Sequence, residues 1–206
     1  TVTAETTDPG TYAVLLAELT FGDLANHWSR ADVEVLAARS IVSGTPDGYF
    51  QPNGRITRAE FVKLLMPLIG AGSTAGTALL FDDVAPDAWY APFVSRAAAA
   101  GIVQGASGRF RPADPVTREE MAVMLFRALR VDPDIKLNAQ AVLGGFADGD
   151  RVSDWALLHV AYAVQNGLLQ GGGGVSLHPD ATATRAEAAV IVLRALTAQG
   201  LIVAKP

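Results

Sequence analysis

The sequence has no cysteine among its 206 residues. That removes disulfides and thiol chemistry, and it suits a cytoplasmic protein and one outside a Gram-positive-type cell equally well. There is no run of 18 apolar residues, so nothing reads as a membrane span. No stripe of Lys and Arg occurs and the formal net charge is −5, which excludes nucleic acid as a partner. The three histidines, His27, His159 and His178, share no metal-ligand spacing, and a zinc site without cysteine would have to be assembled from scattered residues. Gly-x-Ser-x-Gly elbows, phosphate loops and dinucleotide fingerprints are all missing. The glycine run at 171–174 lacks the Lys-Ser/Thr of a phosphate loop. A glycosidase needs two carboxylates opposed across a sugar, whereas the acids that stand out here belong to helix caps. No catalytic residue, cofactor or metal ligand is therefore expected. The chain also begins Thr-Val-Thr-Ala, with neither Met nor a signal-peptide pattern. It reads as a processed or excised piece, and any catalytic domain of the parent chain would lie elsewhere.

What is present in quantity is apolar surface: half the residues are hydrophobic, enough for a sizeable core. The chain is also repetitive. Ile56-Thr57-Arg58-Ala59-Glu60 returns as Val116-Thr117-Arg118-Glu119-Glu120 and as Ala183-Thr184-Arg185-Ala186-Glu187. Upstream of each copy lie matching landmarks. The first has Phe21-Gly22-Asp23, Trp28, Ile41-Val42-Ser43-Gly44, Phe50 and Pro52. The second has Phe81-Asp82-Asp83, Trp89, Ile102-Val103-Gln104-Gly105, Phe110 and Pro112. The third has Phe146-Ala147-Asp148, Trp155, Leu168-Leu169-Gln170-Gly171, Leu177 and Pro179. From Trp to the motif Thr is 29, 28 and 29 residues, and from Pro to that Thr is 5 each time, so the repeat is real.

Thr followed three residues later by Glu is a capping box, and Ile56 with Phe61 or Val116 with Met121 would add a hydrophobic staple. The third copy has only Ala183 and Ala188 there. Beyond each box the sequence is apolar on most faces (Phe61, Leu64, Leu65 and Leu68; Met121, Met124 and Leu125; Ile191, Val192 and Leu196), the mark of a buried helix. Three such helices are expected to meet at the centre, with Pro67 ending or kinking the first. A shorter helix should follow each Trp, with Pro92 early in the second copy. Those helices should end near Ser40, Gly101 and Gly167, where Ser40 departs from the usual Gly and predicts a poorer cap. The motif Arg stands at the first helical position, where a cation is unfavourable by ~0.3–1 kcal/mol. Three such Args ask for another reason. One is an anion held by free helix amides and a guanidinium fork; the other is a salt bridge to an internal Asp. The residues leave both open.

The fold expected from the residues is all-α: three helix-loop-helix repeats in one compact body, with the three motif helices packed together at its centre. The divisions are a lead-in at 1–20 with a short helix at 12–19, repeats at 21–70, 81–130 and 146–199, linkers at 71–80 and 131–145, and a tail at 200–206.

These residues resemble S-layer homology domains, three in tandem over about 21–199. The resemblance implies one pseudo-threefold body with a central three-helix bundle and three inter-repeat grooves, and a role: a secreted protein is anchored at the cell wall or S-layer by binding an anionic cell-wall polysaccharide. That polymer commonly carries pyruvate ketals on N-acetylmannosamine. Other S-layer subunits are possible partners through parts outside this chain. Some relatives are similar in binding peptidoglycan or its attached polymers, and a helical protein–protein module is the rival reading. Carried over by position, the family's groove contacts fall on Arg58, Arg118 and Arg185; on Gly44, Gly105 and Gly171; on Asp23, Asp83 and Asp148; and on Trp28, Trp89 and Trp155.

With the family in view the Args are expected to meet a ligand carboxylate and to matter little for stability. The Trps are expected to be core anchors rather than sugar platforms. The Asps either orient the Arg, accept from a sugar hydroxyl or cap the first helix, with capping or orientation the roles expected. The glycines either admit a ligand close to the backbone or supply positive φ. The glycine-rich third loop predicts the weakest groove, with Arg185 as its marker.

Overall fold

A computed structural model describes residues 20–70 and 81–202. The short helix expected at 12–19 and the linker at 71–80 lie outside the described residues. Among the described residues the regular structure is helical and β-pairing is limited to isolated bridges. Each repeat opens on a tight turn around its Phe-x-Asp, then carries a helix after the Trp: α1 (Arg30–Ala37), α4 (Ala91–Ala99) and α7 (Leu157–Gln165). The motif helices are α2 (Arg58–Leu64), α5 (Arg118–Ala128) and α8 (Arg185–Ala198). Pro67 does break the first: α2 stops at seven residues and a separate turn of helix, α3 (Met66–Ile69), carries the Pro in its first turn. All three capping boxes are complete, with Thr Oγ1 accepting from the Glu amide and the Glu carboxylate accepting from the Thr amide.

The linker expected at 131–145 contains one more helix, α6 (Ala139–Leu143), capped by Asn138 and packed on α7. Its signal was Asn138 followed by Ala139, Val142 and Leu143 at helical spacing; Leu143 is buried.

Packing does not follow the repeats one by one. Helix α1 of the first repeat lies on α8 of the third, α4 of the second on α2 of the first, and α7 of the third on α5 of the second. Each motif helix therefore buries its apolar faces under a neighbour's helix, and the three repeats close a ring. The backbone closes it too. The Ile56 amide donates to Ala183 O (3.1 Å), the Ala183 amide to Val116 O (2.9 Å) and the Val116 amide to Ile56 O (3.1 Å). A motif Ala in the third copy is enough, because the position serves the ring through its main chain.

The post-Trp helices all end in Schellman turns. Ser40, Gly101 and Gly167 take left-handed φ (56°, 73° and 67°), and the following amides donate to Leu36 O, Ala97 O and Ala163 O. Ser40 adopts the glycine conformation and carries its steric cost.

Candidate functional site

The anion site expected at the helix N-termini is not free. The first two amides of each motif helix donate to carbonyls of the next repeat's Pro turn: Arg58 and Ala59 to Asp114 O and Pro112 O, Arg118 and Glu119 to Ala181 O and Pro179 O, Arg185 and Ala186 to Gly54 O and Pro52 O. The third amide belongs to Thr. No bare amide is left to hold an anion, so the helix-terminus reading of the Args is corrected.

The guanidinium groups are tied between repeats, and their partner is a Glu rather than an Asp. Arg58 Nη1 donates to Glu120 (2.8 Å), Arg118 Nη1 to Glu187 (2.6 Å) and Arg185 Nη1 to Glu60 (2.9 Å). Each Glu thus offers one oxygen to its own cap and the other to the preceding repeat. The Nε–H groups donate to Phe110 O, Leu177 O and Phe50 O. Arg118 and Arg185 donate again from Nη2, to Gln170 O and Ser43 O. Arg58 has no third partner among the described residues. A guanidinium has five N–H groups, so two or three remain on each. Burial is the main influence on Arg58 and lowers its pKa against the opposing pull of Glu120; an Arg stays cationic at neutral pH regardless.

The Asps do neither of the jobs expected of them. Asp23, Asp83 and Asp148 each bridge two consecutive loop amides, those of Phe50 and Gln51, Phe110 and Arg111, and Leu177 and His178. The second residue of each pair sits at left-handed φ (60°, 60° and 50°). The carboxylate therefore holds a strained backbone and drives Phe50, Phe110 and Leu177 into the core. The Leu177 amide is the largest influence on Asp148, and with His178 it keeps that carboxyl below the usual range although burial pushes it up. For Asp83 burial pushes hardest upward, and the amides of Phe110 and Arg111 still bring it below normal.

The loop glycines are small for a packing reason. Gly44, Gly105 and Gly171 are not at positive φ. A Cβ on Gly44 would meet the Phe21 ring and Tyr49 O; on Gly105, the Phe81 ring and Arg109 O; on Gly171, the Phe146 ring and Ser176 O. The loop thus lies flat on the Phe of Phe-x-Asp.

The Trps are the clearest departure. Trp28, Trp89 and Trp155 are 61%, 54% and 54% exposed, which rules out the core-anchor role and leaves three indole faces in solvent.

Three grooves result, each assembled from all three repeats. Groove I has the first repeat's loop with Glu60 and Lys63, Arg185 from the third repeat and Trp89 from the second. Groove II has the second repeat's loop with Glu120 and Arg127, Arg58 from the first and Trp155 from the third. Groove III has the third repeat's loop with Glu187 and Arg194, Arg118 from the second and Trp28 from the first. Their volumes are about 220, 340 and 570 Å3, so the glycine-rich loop makes the roomiest one. Gly105 and Gly171 stand in the walls; Gly44 and the three Asps do not. The marker for the glycine-rich groove is Arg118, and Arg185 belongs to groove I, contrary to the sequence expectation. Lys63, Arg127 and Arg194, which the sequence reading passed over, also face the grooves; Lys63 sits 5.9 Å above the Trp89 ring.

Comparison with known protein families matches the S-layer homology domain at residues 20–62, 80–122 and 145–189. The chain is 35% identical over 204 residues, 98% of its length, to an amylopullulanase of Thermoanaerobacterium thermosulfurigenes, of which it covers 11%. It is 36% identical over 179 residues to the exoglucanase XynX of Acetivibrio thermocellus (87% of this chain, 16% of that protein). Against an S-layer protein of Bacillus thuringiensis subsp. finitimus it is 28% identical over 193 residues (93% of this chain, 23% of that protein). It therefore spans a minor part of the relatives it matches. With three matched segments set in the cyclic packing described above, this chain belongs to the S-layer homology domain family, as three tandem copies.

Proposed function

We propose that the chain is a non-covalent anchoring module that holds a secreted protein at the cell wall or S-layer by binding an anionic secondary cell-wall polysaccharide in grooves I–III. The observation that carries this is the recurrence, in each groove, of an exposed indole and a guanidinium whose N–H groups are not all used within the fold. An indole face suits a sugar ring, and spare guanidinium donors suit a carboxylate. A pyruvate ketal on N-acetylmannosamine has both parts, so a pyruvylated polymer is the ligand proposed. The net charge of −5 is no obstacle, since the field inside a groove is local.

The family and the names of the relatives, S-layer proteins and polysaccharide-degrading enzymes alike, support attachment of larger proteins whose remaining parts lie outside the aligned segment. In that reading this part is the anchor and carries no chemistry, and contacts with other S-layer subunits are made elsewhere. Among the described residues no helix is long and apolar enough to cross a membrane. The protein–protein alternative fits less well. A peptide groove would be rimmed by exposed Leu, Met or Phe, whereas the large exposed apolar side chains in these walls are the Trps.

The test is a pull-down on purified cell-wall sacculi before and after chemical removal of the attached polymer. Binding should disappear with the polymer. Undiminished binding to stripped sacculi would replace the polysaccharide by peptidoglycan, and failure to bind either would remove the anchoring role.

A further inference from the structure

The three grooves share a plan but not a charge. Grooves I and III each set two permanent cations against one carboxylate: Arg185 and Lys63 against Glu60, Arg118 and Arg194 against Glu187. Groove II sets four guanidinium groups, Arg58, Arg109, Arg111 and Arg127, against Glu120 alone. The surplus comes from particular positions. Arg109 stands where the sister copies have Tyr49 and Ser176, and Arg111 where they have Gln51 and His178.

Neighbouring acids do not remove the difference. Glu120 gives one oxygen to the Thr117 amide and the other to Arg58 at 2.8 Å, leaving Arg111 at 3.7 Å. Asp83 is engaged by two loop amides and lies 3.9 Å from Arg109; Asp114 is 4.0 Å from Arg111. Counting each groove's loop-bridging Asp lowers all three alike, and Asp114, whose counterparts are Gly54 and Ala181, still leaves groove II one cation ahead. Arg109 and Arg111 are half-exposed or more, so their charged ends are available at the groove mouth while Arg58 and Arg127 are held within it.

We infer that groove II is specialised for a ligand segment bearing two negative charges, either one phosphate group or two carboxylates on adjacent sugars, whereas grooves I and III take one. This rests on the proposal that the grooves bind wall glycan and adds which groove takes the most charged part. Arg58 and Arg127 at the floor receive the first charge, as their counterparts do in groove III, and Arg109 and Arg111 receive the second. A charge-assisted contact of this kind is worth about a tenfold change in affinity or more.

The double variant Arg109→Ser with Arg111→Gln tests this. It installs residues that the sister copies already carry at those positions, with Gln at the same left-handed φ as Gln51, so the fold should be kept. Tryptophan fluorescence with Trp28 and Trp89 replaced by Phe leaves Trp155 to report on groove II. The probes are acetate, malonate and inorganic phosphate, followed by polymer fragments with and without phosphate. Malonate or phosphate should bind Trp155's groove at least tenfold tighter than acetate. The double variant should lose that advantage while its acetate binding and melting temperature hold. Preference for phosphate assigns a phosphate-bearing segment, and preference for malonate a pair of carboxylates. Equal binding of all three anions, or an advantage that survives in the double variant, would overturn the inference even if sacculus binding persists. Anion preference without sacculus binding would leave groove II a dianion site and remove the anchoring reading instead.

Discussion

Replacing Arg118 by Gln should cost the fold far more than a first-turn cation of a helix would suggest. Arg118 is 7% exposed and donates to Leu177 O at 2.7 Å, Gln170 O at 2.9 Å and Glu187 at 2.6 Å. Gln is too short and has too few donors to replace them. Two carbonyls and a carboxylate lose a charged donor, each bond of this type being worth ~1.5–3 kcal/mol. Glu187 keeps about a third of its side chain in water, so part of that loss is recovered by hydration, and the bonds do not add. A net cost of ~3 kcal/mol is expected, below the upper end for breaking a fully buried pair. For a chain of this size that lowers Tm by roughly 6–12 °C. The control is Arg30→Ala, which removes an exposed i,i+4 pair with Glu34 and should cost no more than ~0.5 kcal/mol. Calorimetric melts of the two variants, with Glu187→Gln and the double variant, complete the comparison; the double variant should lose less than the sum of the singles. If Arg118→Gln melted within a degree or two of Arg30→Ala, the inter-repeat tie would be idle and the Arg would serve the groove alone.

Leu125→Ala, at a fully buried position of α5, should cost ~2–5 kcal/mol and shift one single calorimetric transition; two transitions with only one moved would refute the closed ring. Asp148 has a folded pKa below its ordinary value, so its contribution is full above the unfolded value of about 3.9 and drains as pH falls through the folded one. Asp148→Asn should therefore be less stable than the parent at pH 7, with the gap closing below about pH 4; a gap constant with pH in urea melts would contradict the amide clamp. Ser40→Gly relieves a left-handed residue whose steric cost is ~1–2 kcal/mol, less the entropy of a freer unfolded chain, and should raise stability by ~0.5–1 kcal/mol. An unchanged or lower Tm would mean that the Ser40 conformation carries no strain.

Local features were legible because their signals are local. The capping boxes, the break at Pro67, the left-handed helix ends and the apolar motif helices each follow from spacings of one to five residues. What the sequence hid has a common physical cause, namely that its partners come from other repeats. Glu60 reads as a cap from its own Thr57, and nothing near it announces the guanidinium 125 residues away. The Asps read as caps or orienters because the amides they clamp lie 27 to 30 residues downstream, across a loop. The habits of the residue type point Trp to the core, whereas here the exposed side chain belongs to a groove floored by other repeats. Helix α6 is only five residues long and lies between two repeats, so its local signal is little more than the Asn138 cap.

The ring also changes what it means to ask whether the motif Arg is structural or functional. A groove here is not the property of a repeat: it takes its loop and Glu from one, its Arg from the one before and its Trp from the one after. The Arg that closes each repeat junction is thereby the Arg that presents its unused N–H groups to the groove formed at that junction. A Glu side chain engages Nη1 of the guanidinium and a backbone carbonyl its Nε–H, which fixes the plane and leaves two or three N–H groups unused within the fold. Lys would not do this, since a single ammonium cannot satisfy a carboxylate and a carbonyl in fixed directions and keep a planar face for a third group. From the unfavourable position at the start of a helix the side chain reaches both the neighbour's cap and the groove above its loop. If the grooves bind the polymer as proposed, substitutions at Arg58, Arg118 and Arg185 should move stability and binding together, and those at the exposed Trp28, Trp89 and Trp155 should separate them.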